Sequence, residues 1–250
     1  MKTSDYAPPS VRGISPRALA DLIFPRICVV CEEILDSDED VVCRRCLEDF
    51  PFTRYENLAR NPMGDRLNAG IDSGPYVTAT ALFFYRCAYQ RITPSLKYGR
   101  NFAAGARFGR MLGERLASSS LFNDIDFIIP VPLHPLRHFR RGYNQAGIIA
   151  ESIRREMPGA TIASGVLKRT RATRTQTRIR GEEKKENVKG AFAIRGKEFE
   201  KLMERSPKHI LVTDDVLTSG NTLAACCNCL RAALPGEVRI SVATLAFVYD

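Results

Sequence analysis

The run His209–Leu223, HILVTDDVLTSGNTL, ends an apolar stretch in two adjacent acids, Asp214 and Asp215. Val216 follows, and then the small-residue run Thr218, Ser219, Gly220, Asn221 and Thr222. If Ile210–Val212 form a buried parallel strand, the acids emerge at its carboxyl end, the edge at which open α/β sheets bind ligands. Small side chains behind them let backbone N–H groups approach an anion. Hydroxyls add donors, and a helix start adds unpaired N–H groups and a favourable dipole. The turn therefore suits a phosphate, and the carboxylates suit hydroxyls or a metal; a sugar phosphate carries both partners. A strand, an Asp-capped turn and a helix with no ligand is the alternative, but adjacent acids after a buried strand are costly without partners. No Walker A loop and no G-x-G-x-x-G fingerprint occurs, which sets both of those phosphate motifs aside.

A second chemical group is Cys28-x2-Cys31 and Cys43-x2-Cys46, separated by the eleven residues EEILDSDEDVV. Four thiolates at this spacing suit tetrahedral Zn²⁺ in a closed structural site, with reduced cysteines or an iron site as rival readings. About 25 residues bury too little to fold alone, so the metal is expected to supply folding energy. Cys87, Cys226, Cys227 and Cys229 are read as buried small hydrophobes.

The formal charge of +9 points to an anionic partner. Eight Lys/Arg fall against two Glu in KRTRATRTQTRIRGEEKK, Lys168–Lys185, which is either a solvated loop or a binding segment. Arg137, Arg140 and Arg141 follow a strand ending near Val131 and are placed in a loop at the carboxyl edge of the sheet. Lys97, in LKYGR, is a further cation expected to be able to reach the same edge. His134 and His138 lack a partner nucleophile and are read as structural, and Asn144-Gln145 as a helix cap.

The elements that must hold these groups alternate. Tyr76–Tyr85, Ile125–Leu133, His209–Asp215 and Glu237–Tyr249 read as strands. Ala88–Lys97, Phe102–Leu116, Asn144–Met157 and Asn221–Leu234 read as helices. Apolar strands alternating with helices indicate an α/β domain around a mostly parallel sheet. Pro16–Pro25 could add a short helix, and residues 56–75 lack periodicity and read as a linker. With 44% hydrophobic residues the chain can bury a core. No transmembrane segment is expected, and MKTSDYAPPSVRG has no apolar signal core, so a cytoplasmic location is expected.

VTDDVLTSGNTL resembles the phosphoribosyl-pyrophosphate (PRPP) motif of type I phosphoribosyltransferases. PVPLHPLRHFRRGYNQAGIIA, LKYGR and RTRATRTQTRIRGEEKKENVKGAF are similar to signatures of the ComF family of competence-related, phosphoribosyltransferase-like proteins. The likeness spans roughly residues 20–248. Tyr143 stands where Phe is usual, and the run Cys226–Cys229 is not a family feature. The resemblance implies a type I phosphoribosyltransferase fold with a small N-terminal four-cysteine zinc module. The corresponding division is a flexible N-terminus at 1–19, the zinc module at 20–55, a linker or hood at 56–75 and the phosphoribosyltransferase-like domain at 76–250.

By that resemblance, Asp214 and Asp215 would hold the ribose hydroxyls, and Val216 with Thr218–Thr222 would line the 5′-phosphate site. Arg137, Arg140, Arg141, Arg169, Arg171, Thr175 and Gln176 would meet pyrophosphate, the last four from a mobile basic lid. Transfer from PRPP breaks the bond between the anomeric carbon and pyrophosphate, so positioning and charge stabilisation dominate, with Asp214, Asp215, Arg141 and Lys97 the catalytic candidates. Mg²⁺ is the expected helper beside the structural Zn²⁺. The acceptor is not named by the sequence. The alternative is a protein of DNA uptake that binds single-stranded DNA, with the PRPP site regulatory or vestigial.

Overall fold

A computed structural model describes residues 25–98, 101–170 and 190–249. The strands are β1 (Thr78–Phe84), β2 (Phe127–Pro130), β3 (Thr161–Ile162), β4 (Leu167–Arg169), β5 (Phe192–Ile194), β6 (His209–Leu217) and β7 (Arg239–Phe247). The α-helices are α1 (Arg44–Glu48), α2 (Pro62–Asn68), α3 (Ile92–Tyr98), α4 (Phe102–Ala117), α5 (Pro135–Arg141), α6 (Gln145–Glu156), α7 (Gly196–Met203) and α8 (Asn221–Arg231).

Among the described residues, five strands form one parallel sheet in the order β1-β7-β6-β2-β3, and β4 and β5 make a separate antiparallel pair. This is the mostly parallel α/β architecture expected from the alternating apolar runs. Period-two alternation sends β6 side chains to both faces. Leu211 packs with Phe108, Leu112, Ile149 and Ile153 of α4 and α6, while Ile210 and Val212 pack with Met63, Leu67, Leu223 and Leu230 of α2 and α8. From β2 the chain passes through α6 to β3 on one side; from β6 it passes through α8 to β7 on the other. The winding therefore reverses between β6 and β2, and the carboxyl end of that junction is the crevice where such sheets bind ligands.

Three glycines let α4 and α6 approach closely. A Cβ at Gly109 would lie 2.7 Å from the Ser152 Cβ, and one at Gly105 or Gly113 would lie 3.0 Å from Ile148 or Ile153. On the same face, the cysteine segment shares one core with the sheet. Phe50 stacks on Phe108 (5.5 Å between centroids) and meets Phe83 edge-on (5.3 Å). The Tyr89 hydroxyl donates to the Cys46 carbonyl at 2.9 Å, and Arg91 donates to the Val30 carbonyl at 2.8 Å. The chain then runs beside β1, with Phe52 bridged antiparallel to Phe83, and Glu56, almost fully buried, pairs with Arg115 of α4 at 2.5 Å.

Several local expectations are corrected. Residues 56–75 contain α2, whose N-terminus is capped by the Asn61 side chain accepting from the Gly64 N–H at 2.9 Å, and whose Met63 and Leu67 are wholly buried. Arg137, Arg140 and Arg141 belong to a helix, α5, and not to a loop. His134 caps its start, and Gly142, at φ +79°, ends it in the left-handed conformation. The stretch before α3 is a 3₁₀ turn, Cys87–Arg91, and Cys87 is exposed where burial was expected. Strand β6 continues past the acids to Leu217. Pro16–Pro25 falls almost wholly outside the described residues. No helix among those described is long and apolar enough to cross a membrane.

Candidate functional site

Asp214 and Asp215 lie in the last turn of pleat of β6, with Asp214 in register with Thr244 of β7. Successive strand residues face opposite ways, so the pair presents carboxylates in two directions about one backbone. Asp215 is buried, and its Oδ2 meets the Lys97 Nζ at 2.6 Å; the Asp214 Oδ1 accepts the Asp215 N–H at 2.9 Å. Burial raises the Asp214 carboxyl above the usual range, the neighbouring Asp215 charge adds to that, and Lys97 opposes it. Lys97 reaches the acid from the last turn of α3. That helix is held by buried Ile92 and Leu96 and by the Tyr143 hydroxyl, which donates to the Leu96 carbonyl. The Tyr143 ring also packs edge-on against Phe102 at 4.7 Å. A phenylalanine there would lack that hydrogen bond.

Thr218 and Ser219 are exposed, and Gly220 turns the chain into α8 at φ +78°. A Cβ on Gly220 would sit 3.4 Å from the Leu67 Cα, an ordinary contact, so it is the left-handed backbone that the glycine answers. Among the described residues, α2, α4, α5 and α6 are capped by the side chains of Asn61, Asn101, His134 and Asn144. Helix α8, like α1 and α7, begins with no side-chain cap, and at α8 this leaves the first N–H groups free to meet an anion. From behind, Arg66 donates to the Thr218 carbonyl at 3.2 Å, and Asn228 of α8 donates to the Gly70 carbonyl at 3.0 Å. The stretch read as a linker is thus the support of the turn.

Other candidates are placed around this crevice. Asn144 caps α6 and donates to the Val131 carbonyl at 3.0 Å, fixing the end of β2. Beside it, buried Gln145 has an amide nitrogen without a hydrogen-bond partner among the described residues, a donor that a simple cap does not use. The Arg141 guanidinium lies 5.5 Å from the centroid of the exposed Tyr98 ring, on the helix after β2. Arg137 and Arg140 contribute their backbone to α5. Arg169 ends β4 with its guanidinium 5.3 Å from the Phe192 ring. Arg171, Thr175 and Gln176 lie outside the described residues. Cys226 and Cys227 are buried in α8, as expected, with their thiols pushed up by burial first.

The second centre is the four-cysteine cluster. The thiol sulfurs of Cys28, Cys31, Cys43 and Cys46 all lie within 4.8 Å of one another. The Cys31 and Cys43 sulfurs are 3.7 Å apart, against the edge of about 3.8 Å that zinc–sulfur bonds of about 2.3 Å set in a tetrahedron. Cys28 accepts the Cys43 N–H at 3.3 Å. Burial acts to raise the Cys28 thiol, but N–H groups of Cys31, Cys43 and Val30 outweigh it and bring it down to about 7, while burial pushes the Cys43 and Cys46 thiols up. These ligands can hold a zinc ion.

No family model matches the sequence. Competence protein F of Haemophilus influenzae is 32% identical over 232 residues, which cover 85% of this chain and 94% of that protein. The chain belongs to the ComF family. DNA utilization protein YhgH of Escherichia coli is 26% identical over 206 residues, covering 79% of this chain and 81% of its own. The Shigella flexneri protein of the same name is 27% identical over the same length. This ComF-family chain holds the four-cysteine cluster near its N-terminus and the acid pair on the central strand of its sheet.

Proposed function

We propose that this ComF-family protein binds PRPP with Mg²⁺ and transfers its phosphoribosyl group to an acceptor with release of pyrophosphate. The observation that carries the reading is the junction of β6 and α8. There an acid pair, Asp215 buried and Asp214 half-buried, stands at the winding reversal of the sheet, directly before a glycine-shaped turn into an uncapped helix. Asp214 and Asp215 would accept hydrogen bonds from the ribose hydroxyls. The N–H groups and hydroxyls of Thr218–Thr222 would donate to the 5′-phosphate. The hard oxygen donors of the acid pair also fit Mg²⁺, which when bound with the substrate would supply Lewis-acid stabilisation of the departing pyrophosphate.

In the transfer, a lone pair of the acceptor forms a bond to the anomeric carbon while the carbon–oxygen bond to pyrophosphate breaks, its electron pair leaving on pyrophosphate. The acceptor's proton passes to solvent or to the leaving group. Lys97, 2.6 Å from Asp215, and Arg141, at the end of the helix after β2, would be the cations that meet that negative charge. The test is pyrophosphate release from PRPP and Mg²⁺ with a panel of nucleobases and amines, together with PRPP binding by the protein and by Asp215→Asn. Saturable binding lost in Asp215→Asn supports the reading. A protein that ignores PRPP even at millimolar concentration overturns it.

A second reading has its own support. Relatives are named for competence and DNA utilization, and Tyr98, Phe102 and Phe139 expose 78%, 49% and 89% of their surface on helices that flank the crevice. Exposed rings among arginines suit stacking on unpaired bases. This reading expects tight, salt-sensitive binding of single-stranded DNA that weakens in Tyr98→Ala and Phe139→Ala.

A further inference from the structure

The acid pair already has a cation. Lys97 Nζ lies 2.6 Å from Asp215 Oδ2, and the two side chains are 26% and 7% exposed. The backbone that delivers it is fixed: Leu96 is buried, and its carbonyl is held by the Tyr143 hydroxyl. The butylammonium arm alone has freedom to move, and its partial exposure gives it a path outward. A divalent ion bonded to the same oxygen at about 2.1 Å would lie within about 5 Å of an ammonium that is itself 2.6 Å from that oxygen. Like charges so close, around a carboxylate shielded from water, exclude one another.

We propose that Lys97 is a built-in counter-cation, occupying the divalent-metal position of the empty site and yielding it when the phosphates of a sugar ligand draw the ammonium away. The yielding half of this proposal rests on the sugar-phosphate reading above. Free metal then binds poorly, and metal and phosphate bind cooperatively, because the phosphate gives Lys97 a new partner and so frees Asp215. The device offsets the Asp215 charge when the site is empty and makes metal loading conditional on substrate.

The experiment uses Mn²⁺ as the probe, with free hydrated Mn²⁺ counted by electron paramagnetic resonance against the full zinc-loaded chain. Four proteins are compared: wild type, Lys97→Met, Lys97→Arg, and Lys97→Met combined with Asp215→Asn. Lys97→Met should bind free Mn²⁺ at least tenfold tighter than wild type. Lys97→Arg, which keeps the charge, should remain as weak as wild type, and the double variant should lose the gain. Adding ribose 5-phosphate should tighten Mn²⁺ binding to wild type several-fold, and to Lys97→Met much less. Equal free-Mn²⁺ affinity in wild type and Lys97→Met overturns the counter-cation role, as does a gain that survives Asp215→Asn. If ribose 5-phosphate and PRPP bind to none of the proteins, the sugar-phosphate reading and the yielding step fall together. The free-metal comparison still decides which cation Asp215 holds when empty.

Discussion

The Arg66 guanidinium donates to the Thr218 carbonyl at 3.2 Å, joining a helix that precedes the sheet to the turn that follows its central strand 152 positions later. The turn is therefore shaped from two directions, by its own glycine and by α2 pressed against it. Gly220→Ala should strain the turn by forcing a side chain into the left-handed region, in contact with the Leu67 backbone. A loss of about 1–2 kcal/mol of stability is expected from the backbone alone, with PRPP binding weakened at least tenfold. Arg66→Ala should weaken binding while costing less stability. Calorimetric titration beside thermal unfolding separates the two quantities, and full-strength PRPP binding in Gly220→Ala would contradict the assignment of the turn.

The cysteine cluster should carry one zinc per chain, measured by elemental analysis. Stripping it with a strong chelator should lower the unfolding temperature of the whole α/β unit and not melt a separate transition, because Phe50 sits in the same core as Phe83 and Phe108. Cys28→Ser should do the same. Phe50→Ala should cost about 3–5 kcal/mol, as large-to-small changes of buried aromatic residues do. Two resolved transitions, one sensitive to chelator and one indifferent, would contradict the shared core.

At the opposite end of the sheet, His209 is buried with its ring nitrogens 2.8 Å from Asp124 Oδ1 and Ser241 Oγ, and Arg239 reaches the same Asp124 carboxylate. Burial lowers the imidazole below its ordinary value, and Arg239 adds to that, against the carboxylates of Asp124 and Asp126. The unfolded chain then takes up a proton more readily than the folded one. The stability tied to neutral His209 is present above an unfolded value of about 6.5 and is lost as the pH falls through and below it. One group contributes no more than about 1.4 kcal/mol per pH unit. Unfolding midpoints from pH 7.5 to 5.5, with His209→Gln reducing the slope below about 6.5, check this.

The α4–α6 contact should tolerate no enlargement. Gly109→Ala places a methyl group 2.7 Å from the Ser152 Cβ and should cost about 1–3 kcal/mol as overpacking, despite the better helix propensity of alanine. Gly159→Ala, with open space around it, is the control and should be close to neutral in the same denaturant titration.

Much of the frame was legible because burial on both faces of a parallel sheet leaves continuous apolar runs, as in Ile210–Val212 and Phe127–Ile129, and because Cys-x2-Cys pairs have few other uses. The acid pair and turn were legible for a related reason: the run of residue types itself encodes a strand, a bend and a helix start. Helix α2 was not, since its single wholly buried stripe is Met63 and Leu67, too short to show a period. In hindsight Asn61-Pro62 was its signal, a capping residue followed by a proline at the first helical position. Helix α5 was not legible because it is only seven residues long and four of those, Arg137, His138, Arg140 and Arg141, are basic or imidazole side chains, leaving a single apolar pair to show a period. The ion pair of Lys97 and Asp215 joins residues 118 positions apart in the chain, and no local pattern reports such a distance.

Because Phe50 fills the space between Phe83 and Phe108, the amino-terminal cysteine segment has no seam along which it can be cut away. Deleting it would flood the interior beneath β1 with solvent, and any activity that vanished would tell of collapse and not of a lost binding surface. Exposed charges on its outer side, such as Arg44 and Arg45 in their ion pairs with Asp38 and Glu33, are the handles by which its contribution can be dissected while the protein stays whole.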